Sequence, residues 1–88
     1  MSEQKPTLGR IVQYVLNDGD VAAIEQIHPD KSKRNPVAAG QTLPAVVVAA
    51  FGGTTVNLRV LLDGYGEYWA TSRQEGDGPF YWHWPARA

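Results

Sequence analysis

The sequence predicts a small all-β protein, mainly antiparallel, with five strands in an SH3-like barrel and one short helix inserted after the first strand. Three observations carry this. Five segments are rich in β-branched and aromatic residues, and the last four start roughly ten residues apart, the rhythm of a small barrel or sandwich. Glycine turns, "GG" at 52–53 and "DGYG" at 63–66, separate the later segments. Only "VAAIEQI" (21–27) spaces its apolar residues by three, as a helix face does.

In chain order, residues 1–8 read as a flexible N-terminus and 9–88 as a single β-barrel domain. "GRIVQYVL" (9–16) alternates with period two, placing Val12, Tyr14 and Leu16 on one side. "NDGD" (17–20) ends that strand and offers Asp18 or Asp20 as a helix N-cap. Val21, Ile24 and Ile27 form the helix face, and Pro29 stops it. The connection 28–44 holds three prolines and the basic run "KSKR" (31–34), and loops this long inside a compact domain are usually functional or mobile. "AVVVAAF" (45–51) is apolar on both faces, as a central strand covered on two sides would be. The "GG" that follows is a two-residue hairpin signal leading to "TTVNLRVLL" (54–62), with Val56, Leu58, Val60 and Leu62 inward. "EYWATSR" (67–73) is the fourth strand, and "FYWHW" (80–84), ended by Pro85, is the fifth.

Composition removes several kinds of chemistry. At 88 residues a fold buries only about 60–65% of the surface its unfolded chain exposes, so added support is expected. No cysteine is present, which excludes disulfides and thiolate metal sites. His28 and His83 stand far apart without metal-ligand spacing, so neither a metal nor another cofactor is expected. Self-association is the remaining route, and a homo-oligomer is predicted. Eight Lys and Arg against nine Asp and Glu lack the basic excess of phosphate-backbone readers, which argues against general DNA binding. No apolar run approaches the roughly 20 residues of a membrane span, and "MSEQKPT" contains no apolar signal region. A cytosolic protein is the resulting expectation.

Catalytic constellations are missing. Neither a G-x-S-x-G elbow nor a G-x-x-x-x-G-K-[ST] phosphate loop is present. Glu67 and Asp63 could pair as acid and base, but carboxylates beside a turn glycine are ordinary solvated residues. The chain is expected not to be an enzyme.

The elements "GRIV-x-Y" (9–14), "NPVAAG" (35–40), "PAVVV" (44–48), "VNLRV-x-x-DG" (56–64), "WATS" (69–72) and "WHWP" (82–85) follow one another in this order. Together they resemble a group of small proteins of tailed bacteriophages and prophages that carries no assigned activity. The resemblance implies a phage product acting in the cytoplasm of an infected bacterial host or in a virion.

Seven of the nine aromatics fall between residues 65 and 84. In a strand over 80–84, Phe80 and Trp82 face the core while Tyr81 and His83 face away. Asn57, Arg59, Trp69 and Arg73 also leave the inward register. These six form the candidate ligand-binding set: aromatics stack on a base, arginines take phosphates and Asn reads a base edge. The same residues could instead be cross-strand pairs on a solvated sheet face, or fill a subunit interface. Trp84 and Arg87 are placed at the edge, where an interface would form. The basic "KSKR" run could close over an anion or be a solvated loop tip. The expected function is a phage binding protein that sequesters a nucleotide-type ligand, such as a host antiphage immune signal. The alternative is a capsid-decorating or head–tail accessory protein.

Overall fold

A computed structural model describes residues 5–86. Five strands form one antiparallel sheet: β1 (Ile11–Val15), β2 (Thr42–Ala50), β3 (Val56–Leu61), β4 (Glu67–Arg73) and β5 (Trp82–His83). Helix α1 (Asp18–Ile27) follows β1, and a 3-10 turn spans Lys31–Lys33. The strand order is β4-β3-β2-β1-β5, so the first four strands meander and only β5 crosses over. The all-β class, the five strands and the helix after the first of them are thus as the sequence predicts. The sheet does not close into a barrel. A single parallel bridge, Glu75 to Trp82, joins the segment after β4 to β5. Its backbone bonds run from Trp82 N–H to Gln74 O (3.1 Å) and from Gly76 N–H to Trp82 O (3.0 Å).

The inward set follows the alternation of the sequence. Val12, Tyr14, Leu16, Val56, Leu58, Val60, Leu62 and Trp82 are all buried in one cluster, joined by Ile24 from α1. Trp82 also satisfies its indole N–H, which donates to the Thr54 carbonyl at 3.0 Å. The N-cap lies one residue before Asp18, the nearer of the two predicted caps. Asn17 is the N-cap, and Asp20 is the N3 member of a capping box. Asn17 Oδ1 accepts from Asp20 N–H at 2.8 Å while an Asp20 oxygen accepts from Asn17 N–H at 3.0 Å. Ile27 is exposed, so the helix buries a narrower face than its spacing suggests. Segment 45–51 lies mid-sheet as expected, but Val46 and Val48 are only half-buried, because no second layer covers the outer face.

Two bulges adjust the register. Val48 is the extra residue of β2 opposite β3, and Ser72 that of β4. Ser72 has φ 56°, a left-handed conformation that side chains other than Gly, Asn and Asp adopt reluctantly. Asn57 Oδ1 accepts its N–H at 2.8 Å and holds the bulge in place.

The fifth strand is shorter than predicted, and its first residue changes role. The turn of "GDGP" extends through Phe80, which has φ 82° and bonds its N–H to Val15 O at 2.8 Å. Phe80 therefore leaves the strand register and is 41% exposed rather than a core residue.

Candidate functional site

The outer face of the sheet holds four of the six predicted binding residues, three of them side by side on β3 and β4. Trp69 on β4 stands directly opposite Arg59 on β3, Arg59 opposite Val46 on β2, and Val46 opposite Ile11 on β1. One cross-strand row thus runs Trp69, Arg59, Val46, Ile11 over four strands. Trp69 is 61% exposed, and Ile11 and Leu61 on the same face are exposed too. Arg59 Nη1 donates to Glu67 Oε1 at 3.0 Å, a pair in which both side chains are about half-exposed. Exposed pairs of this kind contribute at most about 1 kcal/mol. Asn57 lies beside them, with its carbonyl oxygen accepting from Ser72 N–H and so tied to the bulge.

The other members lie apart from these three. His83 shares the outer face, where Nε2 pairs with Gln13 Oε1 at 3.0 Å across the β1–β5 ladder. Strands β1 and β2 separate it from β3, a path of about 14 Å along the sheet at the usual strand spacing. Tyr81 packs against Gly76, where an added Cβ would come within 2.8 Å of its ring. The six residues are therefore not one cluster. Trp84 is half-buried at the margin of the core, edge-on to Trp82 (5.3 Å between centroids) with the Arg10 guanidinium 4.8 Å from its ring. Arg87, the other predicted interface residue, lies outside the described residues.

Arg73 is the clearest correction. The Ser72 bulge turns it inward, leaving it 9% exposed in a polar cluster beneath α1. Asp20 is the hub. Its Oδ2 accepts from the Tyr14 hydroxyl at 2.6 Å, and its Oδ1 accepts from the Tyr68 hydroxyl at 2.8 Å and from Arg73 Nη2 at 3.0 Å. Arg73 Nε donates to Tyr14 Oη at 2.7 Å and Nη1 to the Thr71 carbonyl. The Phe80 ring covers the guanidinium at 4.0 Å, which accounts for the position of that turn residue. Burial, reinforced by Asp20, raises the Tyr14 hydroxyl well above its ordinary pKa and pushes Tyr68 up to about 12. Burial also opposes the Arg73 charge, but its bonds to Tyr14 and Asp20 outweigh it and raise its pKa. Every polar partner here is used, so this is a structural ion pair and not a binding group. The sequence signal for the hub was the N-x-x-D of 17–20, a capping-box spacing that fixes Asp20 at N3.

The basic run is not a free loop tip. Asp30 starts the 3-10 turn by accepting from Ser32 N–H (3.0 Å) and Oγ (2.6 Å), bonds that hold its carboxyl below the usual range. Arg34 then bridges to Gly64, with Asn35 N–H bonded to Asp63 O and Tyr65 N–H to Lys33 O. Its side chain is buried at 5% exposure. Nε donates to His28 O at 3.0 Å and Nη1 to Asn35 O at 3.3 Å, while Nη2 is enclosed without a partner. An unmet buried donor of this type costs about 1–3 kcal/mol. Gly64 permits the close approach: a Cβ there would sit 2.4 Å from Arg34 Cα, and its φ is +140°. His28 buttresses the same turn through Nε2–H to the Glu67 carbonyl at 2.9 Å.

Among the described residues, no group of three or more His, Asp or Glu side chains gathers to hold a metal. No helix among the described residues is long and apolar enough to cross a membrane. Compared with known proteins, the chain matches no family model, no curated protein and no solved structure.

Proposed function

We propose that the protein is a non-catalytic binding module that self-associates and takes a nucleotide-type ligand on the outer face of its sheet. The observation that carries this reading is Trp69, 61% exposed and directly opposite Arg59. A solvated indole presents a stacking surface usable by any base, worth about 1–3 kcal/mol per base. Its neighbour is a cation with five N–H donors, and the bond to Glu67 occupies one nitrogen. The phage resemblance of the sequence makes a host antiphage signal the natural ligand class, bound in the bacterial cytoplasm and removed from circulation.

Native mass spectrometry of the purified protein tests both parts together. An oligomer that retains a small ligand, with both features lost in Trp69→Ala, supports the reading. A ligand-free monomer that shows no thermal shift with a panel of cyclic nucleotides overturns it. A second reading, a virion or assembly accessory, is favoured by the apolar members of the same face. Ile11, Val46 and Leu61 suit a protein interface, where Trp and Arg act as anchors. Detection of the protein in purified particles supports that alternative, and its absence from them excludes it.

A further inference from the structure

The 3-10 turn and the β3–β4 turn enclose an open pocket of about 280 Å³, lined by residues 31–35 together with Asp63 and Gly64. Three of its lining residues are cations, Lys31, Lys33 and Arg34, against one carboxylate. That carboxylate is already engaged, since Asp63 Oδ2 accepts from Asn35 Nδ2 at 2.7 Å. Lys31 reaches only a long, exposed contact with Glu25 at 4.0 Å, and Lys33 makes no ion pair among the described residues. Arg34 is fixed by two carbonyls and keeps one guanidinium nitrogen unpartnered.

We propose that this pocket binds a compact, doubly charged oxyanion, the terminal phosphate of a small phosphomonoester, held by Lys31 and Lys33, with the buried Arg34 guanidinium adding its positive charge to the site. Two features support it. The excess of two positive charges among the lining residues matches a dianion. The backbone frame is set before binding by the Arg34–Gly64 bridge and by the close approach that Gly64 allows, so little ordering is lost when a ligand enters. The site stands on residues separate from the Trp69 face and is independent of the function proposed for that face.

The test is an amide-resolved NMR titration of the full chain with sodium phosphate, against sodium chloride at matched ionic strength. Saturable shifts at residues 31–35 and 63–65, absent with chloride, are expected. Lys31→Ala with Lys33→Ala, at exposed positions that spare the fold, should weaken binding about tenfold or more. Arg34→Lys, which keeps the charge but loses the bonds to the His28 and Asn35 carbonyls that fix the backbone frame, should weaken it as well. Shifts that drift without saturation and equally in chloride overturn the proposal. So does phosphate affinity unchanged in the double variant. A single-stranded oligonucleotide without terminal phosphates that binds more tightly than phosphate would overturn the assignment to a phosphomonoester.

Discussion

Replacing Asp20 by alanine should cost more stability than any other single polar change in the described residues. The carboxylate accepts four bonds: Tyr14 Oη, Tyr68 Oη, Arg73 Nη2 and Asn17 N–H. Its loss leaves a buried guanidinium without its counter-charge, which costs about 3–5 kcal/mol. A domain of this length has a total stability of about 4–13 kcal/mol, so Asp20→Ala should remove from about a quarter of that stability, at the upper end, to all of it at the lower end. Arg73→Met should be milder, about 2 kcal/mol, because Asp20 keeps two hydroxyl donors and the helix cap. The double variant should be more stable than Asp20→Ala alone, since removing both charges abolishes the unpaired one. Urea unfolding followed by circular dichroism, with m-values compared, measures all three. A loss below about 1 kcal/mol for Asp20→Ala, or a double variant equal to the sum of the singles, would refute the cluster as the polar centre of the fold.

Three further outcomes follow from the same structure. Gly64→Ala should destabilise by about 2 kcal/mol or more, because the Cβ meets Arg34 backbone at 2.4 Å where φ is +140°; a neutral thermal midpoint would contradict that close approach. The phenol of Tyr68 is favoured neutral in the fold, with its pKa raised from 10.0 to about 12. Its contribution is therefore complete below pH 10 and is lost as pH rises toward 12; spectrophotometric titration of the tyrosines beside an alkaline unfolding curve reads it, and Tyr68→Phe should flatten the loss. Asn57→Ala should cost about 1 kcal/mol by releasing the Ser72 N–H and loosening the bulge, visible as faster amide exchange at Ser72 and Arg73.

Much of the fold was legible because a half-buried strand writes its burial into alternate positions. Val12, Tyr14, Leu16 and Val56 to Leu62 needed nothing more than period two. The site was less legible, for a specific reason. The inward turn of Arg73 depends on one extra residue at Ser72, and a bulge leaves no mark in "TSRQ" that alternation can detect. One skipped position reverses every later side chain, which is how an arginine expected outside became a core residue. Phe80 was misplaced by the opposite effect, a glycine–proline turn running one residue further than its composition shows. Arg34 stayed hidden because its burial depends on Gly64, thirty positions away in the chain. Trp69 and Arg59 were placed correctly because strand β4 keeps a regular register up to Ala70.

The crossover at β5 also bears on the order of assembly. Every other strand pairs with its neighbour in sequence, whereas Gln13 meets His83 from 70 residues away. Closing so long a loop is entropically slow, so the local hairpins should form before β5 docks. Until it docks, β1 offers an unpaired edge able to recruit a strand from another chain. Contacts made after the rate-limiting step govern unfolding rather than folding. The lifetime of the native state would then rest on Trp82, the indole that seals the sheet last.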